Sequence, residues 1–489
     1  MPERSLPIWP VAERTLAEPT LVRLAGTLVA GIGAIALAIV LVRFGPLPAA
    51  LVLPGIVAAL LILSDVRAGL WVVLAVIALV PYAVIPVKLV ITPPVLEMAG
   101  LAVLSVWLLR LFLRRDETIP SHPLLIAVIL FVAVAVFAFV LGVDRGYSSQ
   151  TYHDFAKFLV SLSLFFVAWS SLHGYADVRR FTGVFLVLAS AAAAIGLVLY
   201  AGGPRLTLAV LARLIPYGYP DTRIVRYIED DPAKPMRLTS TSVDPNSFAG
   251  LLALAVVLAV TMTVAQRPAI PRWLAALAAV VSGSALLLTY SRAGWLGAAF
   301  GIGLVALARY RWLLVPGGIG LTGAIVLGLG ERFVERLWQG FMLQDPATRM
   351  RLEEYRTALA IIRDYPAFGV GFGAAPTVEL WTGVSSIYLL IAERMGLLGL
   401  GTFLVAVMGI AWTGWRTWHP MAASAEGDLL LAWLGAQAAA LLIGLFDHYY
   451  ANISFPHMVA IFWLTQAMVL VAGTRSTGAQ YTEGRTGWR

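Results

Sequence analysis

Apolar stretches of about 18 residues or more, each long enough to cross a bilayer as a helix, recur along most of this chain. Backbone groups inside hydrocarbon must find their partners within the chain, which leaves helices or closed barrels. The short alternating strands of a barrel are absent from the sequence. The expected fold is therefore all-α: a polytopic helical membrane protein with about 12–14 spans and a large helical extracytoplasmic loop. Only 13% of the 489 residues are charged and 60% are hydrophobic, far from the composition of a soluble domain.

Candidate spans lie near 24–43, 48–64, 68–87, 94–113, 123–142, 154–173, 181–201, 245–265, 273–290, 292–308, 312–330, 384–412, 428–446 and 454–473. Short junctions carrying Arg110, Arg179, Arg180, Arg267, Arg272, Arg309, Arg311, Arg416 and Arg475 fall on one side, which the positive-inside rule makes cytoplasmic. Both termini are then inside. The expected organisation is a disordered cytoplasmic tail (1–22), transmembrane helices (23–202) and a first extracytoplasmic loop (203–243). Further helices follow with a Ser-Arg turn (244–330), then a large extracytoplasmic loop (331–383), C-terminal helices (384–473) and a cytoplasmic tail (474–489). The net charge of +8 belongs to loop arginines on a membrane protein, so nucleic acid is not an expected partner. With no cysteine there is no disulfide, thiolate metal site or thiol nucleophile, and no residue cluster has the spacing of a metal site.

Two polar islands break the apolar pattern, and both are rich in arginine. The first carries Arg205, Arg213, Arg223, Arg226, Lys234 and Arg237 and ends in Asp244-Pro245-Asn246. Asp244 has the position of a helix N-cap, with Pro245 at the first helical residue. The second carries Arg332, Arg336, Arg349, Arg351, Arg356 and Arg363. There an amphipathic helix is expected from Pro346 to Tyr365, stopped by Pro366. Gly369, Gly371 and Gly373 follow and permit tight backbone turns beside a ligand. Between the islands, Ser291 and Arg292 join two apolar runs with almost no loop, where an arginine is costly unless paired or functional. Ser385, Tyr388 and Glu393-Arg394 open a late span, and Asp447-His448 closes the last outer turn. Arginines gathered on one face of a membrane protein suit an anionic head group, foremost a lipid-linked phosphate or pyrophosphate.

The order of these pieces resembles the O-antigen ligase and polymerase superfamily of bacterial membrane glycosyltransferases. The matching residues are Asp244-Pro245-Asn246, Ser291-Arg292-Ala293, Arg351 with Tyr355, Pro366 through Gly373, Tyr388, and Glu393 through Gly399, over roughly 237–400. The resemblance implies a multi-pass protein of the bacterial inner membrane that needs no cofactor. Its donor would be a glycan on undecaprenyl pyrophosphate, its acceptor a further glycan or lipid A-core, and its surroundings membrane lipids. Arg237 and Arg292, with Arg351 as a third, would hold the pyrophosphate. Asn246, Ser291, Gly369, Gly371, Gly373, Ser385, Tyr388 and Glu393 would shape the substrate loop. Ligases carry a histidine where this chain has Ser385, so His448, Asp244 and Glu379 become the candidate catalytic acid/base residues.

The expected reaction is attack of an acceptor hydroxyl on the donor's anomeric carbon, with the pyrophosphate leaving against preorganised guanidiniums. Ser385 tilts the reading towards polymerisation over ligation. Protein O-glycosylation uses the same donor chemistry, and a flippase of lipid-linked sugars is the alternative of another class. The gathering of polar residues on one face, with no internal repeat, speaks for one-sided chemistry over alternating access.

Overall fold

The computed structural model describes residues 46–85, 94–113, 119–315, 346–373 and 384–475, with isolated positions at 27, 28, 31, 34, 35, 317 and 318. Expectations for the tails, the 24–43 and 312–330 spans (apart from a few positions), and Arg332, Arg336 and Glu379 lie outside the described residues. The chain forms two compact units, Met1–Val72 and Val73–Arg489. Helix α1 (Pro46–Ser64) lies in the first, and α2 (Val66–Leu79) crosses the division.

The second unit continues with α3 (Val95–Leu113), α4 (Pro123–Leu141), α5 (Ser149–Ser171), α6 (Tyr175–Ala201) and the short α7 (Gly203–Leu211). A two-residue antiparallel pair, β1 (Arg226–Tyr227) and β2 (Met236–Arg237), follows. Then come α8 (Pro245–Val264), α9 (Arg272–Leu288), α10 (Arg292–Ala308), α11 (Pro346–Asp364), α12 (Ile387–Met421), α13 (Ala425–Phe446) and α14 (Pro456–Arg475). Among the described residues, 8 helices are long and apolar enough to cross a membrane, and shorter apolar helices include α9 and α10. The protein is an all-α polytopic membrane protein.

Helix starts are written in the sequence. Asp244 accepts the Ser247 N–H at 2.6 Å ahead of Pro245, and Ser424 accepts the Gly427 N–H at 3.0 Å. Ser148 accepts the Thr151 N–H at 3.2 Å, and Ser291 the Gly294 N–H at 3.4 Å. Burial then sorts the spans. Of the most apolar window, 83% is buried in α8 and 89% in α14, against 28% in both α3 and α4. The former make the centre of the bundle, while α3 and α4 leave much of their surface unburied.

Small residues let the central helices approach. A Cβ at Gly301 of α10 would lie 2.5 Å from the Gly435 carbonyl of α13, and Gly297 is equally tight against Ile443. Close backbone approach of this kind is how helices associate in lipid, where no hydrophobic force drives them together. Gly301→Leu is expected to wedge α10 from α13 and to cost about 1–3 kcal/mol, read as a lower melting midpoint in detergent.

The span expected near 384–412 is a 35-residue helix broken at Gly396, which has φ +69°. Only glycine fits this position, because a Cβ would collide with the Ala367 carbonyl. The backbone groups freed by the break are met by the loop after α11. Val370 N–H donates to Glu393 O and Gly371 N–H to Arg394 O, both at 2.9 Å, while Leu397 N–H donates to Pro366 O at 2.7 Å. The amphipathic helix expected over 346–365 is α11, and it packs on α12.

Candidate functional site

The N-terminal turns of α3, α5, α8, α12 and α14 converge at one end of the second unit. Glu97, Gln150, Thr151, Asn246, Ser247, Leu390, Ile391 and His457, one or two from each of these turns, line a single cavity of about 780 Å³. Helix N-termini carry unsatisfied N–H groups and the positive end of the macrodipole, so their convergence makes a field suited to an anion. The junctions bearing Arg110, Arg179, Arg267, Arg309, Arg416 and Arg475 lie at the opposite helix ends.

The cavity's cations are Lys157, Arg223, Arg226 and Arg394. Most are engaged. Lys157 lies 3.4 Å from Asp154 and 3.6 Å from Glu97, and Arg223 lies 3.3 Å from Asp230. Arg394 lies 3.5 Å from Glu393 and donates to the Gly373 carbonyl. Arg226 differs: it is half-buried and has no ion-pair partner among the described residues. In the β1–β2 register it stands directly opposite Arg237.

Of the cavity's acids and histidines, Asp447 and His448 sit on the turn between α13 and α14, and Asp244 just before α8. Asp447 is buried, its Oδ1 accepts the His448 N–H at 3.0 Å, and Arg351 approaches its Oδ2 at 3.9 Å. Burial pushes the Asp447 carboxyl above the usual carboxylate range; His448 and Arg351 oppose the shift and Asp244 adds to it. His448 Nδ1 pairs with the Asn452 amide at 3.1 Å. Several cavity-lining atoms, among them Asp447 Oδ2, Glu97 Oε2, Tyr449 OH and His457 Nε2, have no hydrogen-bond partner among the described residues. Buried polar atoms without partners are costly, and here they ring one space.

The sequence-predicted residues divide by position. Asp244, Asn246 and His448 line the cavity. Arg237, Arg292 and Arg351, expected to hold pyrophosphate, do not line it. Arg237 lies one residue behind the wall, donating to Asn246 Oδ1 at 2.6 Å and to the Thr289 carbonyl at 2.8 Å. It clips the Ser-Arg turn onto the β2 strand, whose next residue, Leu238, donates to Leu288 O at 2.9 Å. Arg351 reaches the cavity only through Asp447. Ser291 is the buried N-cap of α10, and Arg292 opens that helix half-buried.

The remaining substrate-loop candidates bond to the chain itself. Tyr388 donates to the Leu441 carbonyl at 2.9 Å, and the Ser385 N–H donates to Glu354 at 3.0 Å. Glu393 is buried against Arg394. The tight turns at Gly369 and Gly371, with φ of +67° and +77°, are present, but their close approach is to protein. Gly369 faces the broken turn of α12, while Gly371 and Gly373 face the Tyr147 ring. Tyr147 OH donates to Phe139 O at 3.0 Å and accepts the Phe372 N–H at 2.9 Å, which seats Phe372 in the cavity wall.

Sequence reasoning missed Lys157 and Glu97 as site residues and did not single out Arg226 or Asp447. The usable signal at Lys157 was a lone lysine inside an apolar run, since ionisable groups at membrane depth face cavities or partners. Among the described residues no cluster of histidines and acids has the arrangement of a metal site.

A search of curated proteins finds no match to this chain. Residues 277–404 match the family model Wzy_C, described as O-antigen ligase. The match spans α9 to the middle of α12 and so includes Arg351, Phe372 and Arg394, whereas α3, α5, the β-hairpin and the Asp447–His457 turn lie outside it. Residues 277–404 are thus similar to the Wzy_C family, which supports the resemblance to the O-antigen ligase and polymerase superfamily over this segment.

Proposed function

We propose that the protein transfers a glycan from an undecaprenyl-pyrophosphate carrier to an acceptor sugar hydroxyl, in the cavity, on the extracytoplasmic face of the bacterial inner membrane. One observation carries this reading: helix N-termini and Arg226, which has no ion-pair partner among the described residues, converge on a cavity that Asp447 and His448 also line. The leaving diphosphate gains charge as the glycosidic bond breaks. Preorganised dipoles and a guanidinium lining the cavity stabilise that charge without reorganising. Phe131, Phe158 and Phe372 supply an apolar wall for the first units of the carrier lipid. Arg226 takes the part that sequence reasoning gave to Arg237, Arg292 and Arg351, with Arg237 holding Asn246 in place.

We favour a further repeat unit as acceptor over lipid A-core, because the position of the ligase histidine is Ser385, whose backbone is bonded to Glu354 and Tyr355 outside the cavity. The test uses purified protein in liposomes with a labelled undecaprenyl-pyrophosphate repeat unit, alone and with lipid A-core. A ladder of longer lipid-linked glycans without added acceptor is the expected result. Label moving only to lipid A-core would make the protein a ligase, and donor crossing the bilayer with no transfer would make it a flippase.

A further inference from the structure

Four carboxylates line the cavity: Glu97, Asp154, Asp244 and Asp447. Three of them are occupied. Asp154 accepts from Gln150 at 2.8 Å and pairs with Lys157, which also pairs with Glu97. Asp244 is spent on the N-cap of α8 through its Oδ2. Asp447 Oδ2 and Glu97 Oε2 both lack a hydrogen-bond partner among the described residues, but the Glu97 carboxylate is paired with Lys157 at 3.6 Å, whereas Asp447 Oδ2 is paired more loosely, with Arg351 at 3.9 Å. Its other oxygen is fixed by the His448 N–H, and the residue ends α13 in extended backbone, so the carboxylate is held rather than free to rotate away. His448 is less suited to accept a proton. Its Nδ1 already faces the Asn452 amide at 3.1 Å, and that contact is satisfied when Nδ1 accepts and Nε2 carries the hydrogen.

We infer that Asp447 is the general base of the proposed transfer, an assignment that rests on the donor chemistry given above. Its carboxylate removes the proton from the acceptor hydroxyl as that oxygen bonds to the donor's anomeric carbon. The bond from that carbon to the diphosphate oxygen breaks, and its electron pair leaves with the diphosphate. The proton then passes from Asp447 to water, and the anomeric configuration inverts. The groups facing Asp447 are Arg351 and Tyr355 from α11, Asp244 before α8, and His448, Tyr449 and Tyr450 on its own turn. A buried carboxylate raised above its usual range is a stronger base than one in water, which suits it to a weakly acidic sugar hydroxyl.

The experiment is a pH series of kcat and donor KM with the undecaprenyl-pyrophosphate repeat unit in liposomes. Asp447→Asn is expected to lower kcat by about 10²–10⁴-fold with donor KM within about threefold, and Asp447→Glu to keep part of the rate. In the wild type, rate falls on the acid side as Asp447 takes up its proton. Arg351→Gln removes a positive charge that favours the ionised form, so this acid limb moves to higher pH. Asp244→Asn removes a like charge and moves it lower. The Arg351 and Asp244 shifts test the role even where Asp447→Asn fails to fold. Asp447→Asn within threefold of the wild-type kcat, or an acid limb unmoved by both neighbours, overturns the role while leaving the donor reading intact. A wild-type protein that transfers nothing from this donor overturns both.

Discussion

Arg226→Ala is expected to lower kcat/KM for the lipid-linked donor by about 10²-fold or more, since losing one partner of a buried charge pair costs roughly 2–5 kcal/mol. The β-hairpin sets Arg226 directly across from Arg237. Like charges directly opposed across a strand pair destabilise it. Arg237 spends its guanidinium on Asn246 and the Thr289 carbonyl, but Arg226 has no carboxylate in ion-pair reach among the described residues. A bound diphosphate would supply the missing counter-charge. Two further results follow. Arg226→Lys keeps the charge but loses the two-pronged donor geometry, so it recovers only part of the rate. Without donor, Arg226→Ala leaves the melting midpoint unchanged or raises it, because the repulsion with Arg237 is gone. A drop in donor-free stability together with unchanged turnover would make Arg226 a structural residue.

The second large effect lies at the opposite end of the bundle. Asp428, in the first turn of α13, is fully buried. It accepts the Tyr310 hydroxyl at 2.5 Å and the Arg267 N–H at 3.2 Å, and lies 3.0 Å from Arg309 Nε. Arg309 also donates to Gln266 at 3.1 Å. One carboxylate thus ties the α8–α9 turn and the end of α10 to the start of α13. Asp428→Leu leaves the Arg309 guanidinium, the Tyr310 hydroxyl and the Arg267 N–H without their acceptor, and is expected to destabilise the protein by about 3–5 kcal/mol. Removing both charges, as in Asp428→Leu with Arg309→Met, is expected to restore a large part of that loss, because an unpaired buried charge costs more than the pair contributes. Thermal unfolding in detergent of the single and double variants reads both. An Asp428→Leu midpoint equal to wild type would show that the clamp does not hold these turns.

The bundle was legible because hydropathy reports directly on which segments lipid or protein can surround. The cap at Asp244 was legible for a similar reason: it is a local pairing of side chain and backbone. The break at Gly396 was not, because Met395-Gly396-Leu397-Leu398 reads as the start of an apolar run after Glu393-Arg394. Only the approach of Ala367 explains why glycine stands there. At the candidate site, local pattern identified arginine-rich loops but not which arginine faces the cavity. Arg237 and Arg226 look alike in sequence, and the difference between them is set by Thr289 and Asn246, contacts made 52 and 9 residues away from Arg237. Lys157 acquires meaning only when α3 brings Glu97 beside it. Asp447 stood next to His448 in the sequence, and the choice between them needed the hydrogen bonds that occupy His448 Nδ1 and leave Asp447 Oδ2 open.

The most direct test of the account is a structure with a non-transferable undecaprenyl-pyrophosphate glycan analogue bound. The prediction is a diphosphate within hydrogen-bond distance of Arg226 and the first turns of α8 and α14, with the sugar's anomeric carbon on the Asp447 side of the cavity. A diphosphate seated instead on Arg292, or on the lipid-facing surfaces of α3 and α4, with the cavity left to solvent, would contradict it.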